Sequence, residues 1–218
     1  MFEALFCDLF SDVCRLVTLR LDISQLSTDF YKNLYSYYQL ESNKTSVGYQ
    51  SCCLTLRHLD IRIRLGCILE HIIDSTPNLE QLSILLESSS TEKYYPSSNI
   101  QSTISTNKNW FHKLPKLERF KLKSNVYDDF GFEYVKWLLN RINYIKKLEI
   151  HLYDGCPWKK KRTIWKSFID ANFIRQYCLP DEIINLEDFR FSICAQCQLS
   201  SDDIEKTINS FKIHSFFY

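Results

Sequence analysis

The chain has 218 residues, 45% hydrophobic and 15% aromatic, enough to bury a substantial core as one domain or one elongated array. Its formal net charge of +1 creates no general field to draw nucleic acid or an anionic membrane. With only 4 glycines, phosphate-cradling loops and glycine-dependent hairpins are poor candidates for its main connections.

Phe2, Leu5, Phe6, Leu9 and Val13 recur at steps of three and four, so residues 2–12 read as an amphipathic helix. Residues 1–13 would then form an N-terminal helix or cap, and residues 14–218 the main domain. Glu3, Asp8 and Asp12 interrupt these apolar residues and no basic segment precedes them, which argues against a signal peptide. The first strand motif follows as Leu16-x-x-Leu19-x-Leu21. Ser27 or Thr28 would cap a helix carrying Phe30, Leu34 and Tyr37, and a polar insert spans residues 41–51.

The second strand alternates longest, with Leu59, Ile61, Ile63 and Leu65 on one face and Asp60, Arg62 and Arg64 on the other. Ile68, Leu69, Ile72 and Ile73 share a helix face, and Pro77 stops that helix because proline has no N–H and keeps its predecessor out of helical space. A third strand spans residues 79–86, followed by a Ser/Thr/Asn/Tyr-rich run near 87–108 that reads as a surface insertion. Trp110, Phe111 and Leu114 make a short helical turn into a fourth strand, Leu117-x-x-Phe120-x-Leu122. A helix over about 130–141 turns Phe132, Val135, Leu138, Leu139 and Ile142 toward a core. Ile145-x-x-Leu148-x-Ile150 is the fifth strand. A basic segment (158–162) precedes a helix with Trp165, Phe168 and Ile169, then Leu186-x-x-Phe189-x-Phe191 forms the sixth strand. Ser200 or Ser201 caps a last helix bearing Ile204, Ile208 and Phe211.

The six motifs begin at 16, 56, 79, 117, 145 and 186, spaced 40, 23, 38, 28 and 41 residues apart. The shorter intervals match a repeat of about 20–29 residues, and the longer ones match that repeat with an added loop. An ordinary doubly wound α/β domain would also alternate strands with helices. The recurring L-x-x-L-x-L anchor favours an α/β solenoid of about six irregular leucine-rich repeats, a horseshoe with a parallel concave sheet and convex helices.

These anchors, with the stretches TPNLEQLSI (76–84), LPKLERFKL (114–122) and YIKKLEIHL (144–152), resemble the irregular repeats of F-box/leucine-rich-repeat proteins, especially the divergent invertebrate type. The resemblance covers about residues 14–212, including the tail from Asp170. It implies an intracellular solenoid, cytoplasmic or nuclear, that binds another protein, and in full-length family members delivers it to a ubiquitin ligase. The fifteen residues before Leu16 are too few for an F-box. Contact with the Skp1–cullin core is therefore expected only where an F-box precedes the repeats, and the protein-binding scaffold is what the resemblance carries here.

In such a solenoid the residues between anchors face the concave side, in three rows across the sheet. The first is Thr18, His58, Gln81, Arg119, Lys147 and Asp188. The second is Arg20, Asp60, Ser83, Lys121, Glu149 and Arg190, and the third is Asp22, Arg62, Leu85, Lys123, His151 and Ser192. The partner-binding candidates are His58, Asp60, Arg62, Arg119, Lys121, Lys123, Lys147, Glu149, His151 and Arg190. The central cluster of cations suits an acidic protein partner, although any sheet face that meets water also carries charge.

Other signals point to different chemistry. Trp158-Lys159-Lys160-Lys161-Arg162 would serve a nucleic-acid-binding alternative or an import signal, without an RNP, finger or KH signature beside it; a solvated loop accounts for it as well. Cys194-Ala-Gln-Cys197 has redox or half-zinc spacing, but no second C-x-x-C is near, so the nine cysteines read as structural thiols in a reducing compartment, with no metal or cofactor expected. None of the five histidines lies in a catalytic motif and no nucleotide fingerprint occurs, so no enzyme is expected. No apolar run approaches the roughly 18 residues of a membrane helix.

Overall fold

Each anchor motif becomes a strand that starts two residues after its first apolar anchor. The strands are β1 (Thr18–Asp22), β2 (His58–Ile63), β3 (Gln81–Leu86), β4 (Arg119–Val126), β5 (Lys147–Asp154) and β6 (Asp188–Cys194). The computed structural model describes residues 8–27, 29–30, 52–64, 66–87, 110–127, 129–154, 169–194 and 201–213. The strands form one six-stranded parallel α/β sheet in chain order, β1 to β6. Sequence-adjacent parallel strands need a crossover between them, and among the described residues helices lie in the β2–β3, β4–β5 and β5–β6 connections. The chain divides into two compact units, residues 1–87 with 110–122, and residues 88–109 with 123–218.

In the first unit, the alternation expected for a strand with one covered face is met on β2 and β3. Leu59, Ile61, Ile63, Leu82, Ile84 and Leu86 are buried while the residues between them are not. A 3-10 turn (Gly66–Ile68) leads into α1 (Leu69–Asp74), whose Ile72 and Ile73 join that core. The helix ends as its composition requires: Thr76 turns its hydroxyl back to the Ile72 carbonyl at 2.7 Å, and Pro77 has no N–H with which to continue. A second 3-10 turn, Trp110–His112, buries Trp110, and Leu114 behind it is also buried.

In the second unit, α2 (Asp129–Arg141) buries Phe132, Val135, Leu138 and Leu139, and Ile142 just beyond it is buried too, the face its periodicity predicts. Helix α3 (Ala171–Tyr177) has no counterpart in the sequence reading. It is only 7 residues long and is held by its ends: the Asp170 carboxylate accepts from the Phe173 N–H at 2.8 Å. At the other end, Lys136 of α2 donates to the Leu179 carbonyl at 2.7 Å and pairs with Asp181 at 2.8 Å. Asn140 adds two bonds to Asp181, one to its side chain and one from its backbone N–H. Phe132 meets Phe173 edge-on, with centroids 5.6 Å apart.

Three expectations need correction, and others fall outside the described residues. Helix α4 (Ser201–Ile213) was expected to bury Ile204, Ile208 and Phe211, but Ile204 and Ile208 are 49% and 51% exposed. Its inward bonds are made by hydroxyls instead: Ser210 accepts from the Ala171 N–H at 3.0 Å, and Thr207 approaches the Ile169 carbonyl at 3.5 Å. Val13, expected on the apolar face of an N-terminal helix, is exposed, and helical backbone is described there only at residues 8–9; residues 1–7 lie outside the described residues. Leu16 of β1's motif is 42% exposed, and Phe191 of β6 is also exposed, so the outermost anchors are not fully enclosed by the described residues. The helix expected over Trp165, Phe168 and Ile169 lies outside them up to residue 168, and the described helix begins only at Ala171. The polar inserts (41–51 and 88–108), Leu34 and Tyr37 also lie outside.

Candidate interaction face of the sheet

The outward rows are built by a bond pattern that repeats at one motif position. At four junctions the backbone carbonyl just after the first anchor accepts two successive N–H groups of the next motif. Val17 takes Arg57 and His58, at 2.8 and 3.1 Å, and Arg57 takes Glu80 and Gln81, at 2.8 and 3.0 Å. Glu80 takes Glu118 and Arg119, at 3.0 and 3.1 Å, and in the second unit Lys146 takes Glu187 and Asp188, at 2.8 and 3.0 Å. Residues immediately before the first anchors reinforce this. Thr55 donates to the Cys14 and Leu16 carbonyls at 3.1 and 3.0 Å, Asn78 to the Leu54 carbonyl at 2.9 Å, and Asn185 to the Tyr144 carbonyl at 3.5 Å. Sequence reading passed over these three side chains; their shared position ahead of an anchor was the available signal.

The resulting register aligns Thr18 with His58 and Gln81, Arg20 with Asp60 and Ser83, and Asp22 with Arg62 and Leu85. In the second unit, Lys147 aligns with Asp188, Glu149 with Arg190, and His151 with Ser192. The candidates on β2, β4 and β5 therefore occupy the outward positions of their strands, opposite buried anchors, whereas on β6 neither Phe189 nor Phe191 beside Arg190 is fully buried.

Many of these charges already meet a partner. In the first unit Arg20 lies 3.7 Å from Asp60, and Arg62 reaches Asp22 at 3.3 Å and Glu87 at 2.7 Å. The Ser24 hydroxyl, with help from its own N–H and from Arg62, holds the Asp22 carboxyl below its ordinary range. His58 Nδ1 lies 3.3 Å from the Thr18 hydroxyl. In the second unit Glu149 contacts His151 at 2.6 Å, and Asp188 contacts Arg190 at 3.1 Å. Arg119 and Lys147 are exposed and Lys123 is half-buried, and among the described residues none of the three has an acidic partner.

The remaining candidates fall mostly outside the described residues. Lys159–Arg162 and Cys197 lie outside the described residues, while Cys194 is exposed at the end of β6. Burial pushes the Cys178 thiol up to about 12, which makes it an inert packing group. Among the described residues no group of three metal-ligating side chains occurs, and no helix is long and apolar enough to cross a membrane. No protein-family model matches the chain, and no curated protein or solved structure matches it at a significant level.

Proposed function

We propose that this chain is a protein-binding scaffold of the leucine-rich-repeat type, whose outward sheet face takes a partner bearing an acidic patch. The observation that supports it most is the repeated carbonyl stitch, one acceptor serving two N–H groups of the following motif, at four places. It makes each motif an equivalent unit leaning on its neighbour, which is how a repeat array is stabilised. The acidic character of the partner rests on Arg119, Lys123 and Lys147, which have no acidic partner among the described residues. The paired cations remain available as well, because exposed ion pairs contribute only about 0–1 kcal/mol and exchange readily. A role as the substrate-recognition part of an F-box-type ubiquitin-ligase adaptor belongs to the same reading.

The test uses the full chain as bait in cell lysate, alongside Arg119→Glu and Lys147→Glu made separately, with mass-spectrometric identification. A protein captured by wild type, lost with either reversal and weakened by added salt supports the reading. Its recovery together with Skp1 and cullin adds the ligase-adaptor role. Identical recovery by all three baits refutes an acidic partner on this face, and recovery of nucleic acid alone favours the basic segment at 158–162.

A further inference from the structure

We propose that the open edge of β6 docks a second copy of this chain, β6 against β6, antiparallel and centred on Phe189. Strand β6 is last in the sheet, and among the described residues no strand pairs with its other edge. The Asp188 N–H points back toward β5, bonded to the Lys146 carbonyl at 3.0 Å. Strand alternation therefore turns the N–H and C=O groups of Phe189, Phe191 and Ile193 to the open edge, where they form a template for another strand. Unlike β2 to β5, β6 has no fully buried residue. Phe191 is 38% exposed even though it stacks on Phe189 and on Phe211 of α4, with centroids 5.5 and 5.7 Å apart.

The charges of β6 select the occupant. Asp188 and Arg190 share the outward face, and the Arg190 guanidinium donates to both oxygens of the Asp188 carboxylate, at 3.3 and 3.1 Å. Among the described residues neither has another charged partner. An antiparallel copy centred on Phe189 sets Asp188 opposite Arg190 of the second copy and Arg190 opposite its Asp188, two opposite-charge pairs related by a two-fold axis. The Phe189 amides, facing the open edge, exchange two N–H···O bonds at the centre, and the charged pairs fall at the closer, non-hydrogen-bonded positions. Centring on Arg190 would set that cation against itself, which destabilises, and centring on Phe191 would leave Arg190 opposite Ser192 and Asp188 opposite Cys194. The exposed pair within one chain contributes little in water and exchanges readily for the pairs between chains. Strand β1 commits its charges elsewhere: Arg20 lies beside Asp60, and Asp22 is held by Ser24 and Arg62. A two-fold contact closes at the dimer, and pairing over about five residues a side makes it small, weak and concentration-dependent.

The experiment follows the full chain by sedimentation velocity from about 1 to 300 μM, the range in which a small interface associates. Wild type should pass from monomer to dimer and no further. Asp188→Arg and Arg190→Asp, each alone, oppose like charges twice and should raise the midpoint concentration about tenfold or more. Mixed in equal amounts, the two variants regain opposite charges at both pairs and should dimerise as readily as wild type, the mixed dimer being identified by native mass spectrometry. Far-UV circular dichroism confirms that both fold. Where either does not, Asp188→Asn, which adds no like charge opposite Lys147, takes its place and should raise the midpoint several-fold. A chain monomeric throughout, growth beyond the dimer, an unchanged midpoint in any of these variants, or a mixture of folded reversal variants that stays monomeric would overturn the assignment.

Discussion

Leu16 and Leu79 occupy the same place in their motifs, two residues ahead of their strands, and they belong to the same unit. Their surroundings differ: Leu79 is 0% exposed and Leu16 is 42% exposed. Leu79→Ala removes apolar carbon worth roughly 0.8 kcal/mol per methylene and leaves a cavity that enclosed neighbours cannot fill, so it should cost about 3 kcal/mol within a range of about 2–5. Leu16→Ala loses only part of that transfer energy and opens no closed cavity, so it should cost under about 1.5 kcal/mol. With a urea slope of about 2 kcal/mol/M, the Leu79→Ala midpoint should fall by about 1.5 M and that of Leu16→Ala by less than half as much. Urea melts followed by circular dichroism, with slopes compared to confirm a common unfolded state, measure both. Equal losses, or a larger one for Leu16→Ala, would refute the claim that a motif's contribution follows the enclosure of its anchor.

Ser124 is 1% exposed, its hydroxyl lacks a hydrogen-bond partner, and it stands where other motifs carry Ile23, Ile63, Leu86, Leu152 or Ile193. Ser124→Ala should therefore stabilise by up to about 1 kcal/mol, whereas a loss in the urea midpoint would show that the hydroxyl is satisfied. Asn78→Ala removes the bond to the Leu54 carbonyl and should cost about 1 kcal/mol; an unchanged melt would make that bond incidental. For Asp181, burial raises the carboxyl, but hydrogen bonds from Lys136 and Asn140 and the nearby cations outweigh it and hold the group below its ordinary value of 3.8. Its contribution is thus present above pH 3.8 and is lost as pH falls through the depressed folded value. Since the Asp181 side chain is largely exposed, the effect is small. Thermal melts across this window should show a shallower acid decline for Asp181→Asn than for wild type, and parallel declines would remove Asp181 as a contributor.

The strands and their alignment were legible because alternation has a period of two and each motif restarts the count at an anchor. The rows Thr18–His58–Gln81 and Lys147–Asp188 follow from counting alone, and the structure pairs those residues. What periodicity does not carry is whether a face is covered. Ile204 and Ile208 do share a face of α4, yet Thr207 and Ser210 make the inward bonds, because carbonyl and N–H groups around Ile169 and Ala171 offer them partners. Helix α3 was missed for a related reason: its stability comes from Asp170 at one end and Lys136 at the other, and the second of these is 35 residues or more away in the chain. Among the outward residues, charge and position were legible in sequence, while the division into paired cations (Arg20, Arg62, Arg190) and the three without an acidic partner among the described residues required side-chain geometry.

The order β1 to β6 in the sheet is also the order of synthesis. No strand has to wait for a distant later segment before it finds its neighbour. As β2 leaves the ribosome β1 is already available, and each later strand meets a template laid down just before it. Widening the interval between successive motifs from 23 to about 40 residues adds only about 0.5 kcal/mol of closure entropy. Such a chain can grow vectorially, zipping one strand at a time, and can accept changes of length between motifs without rewriting which strand pairs with which.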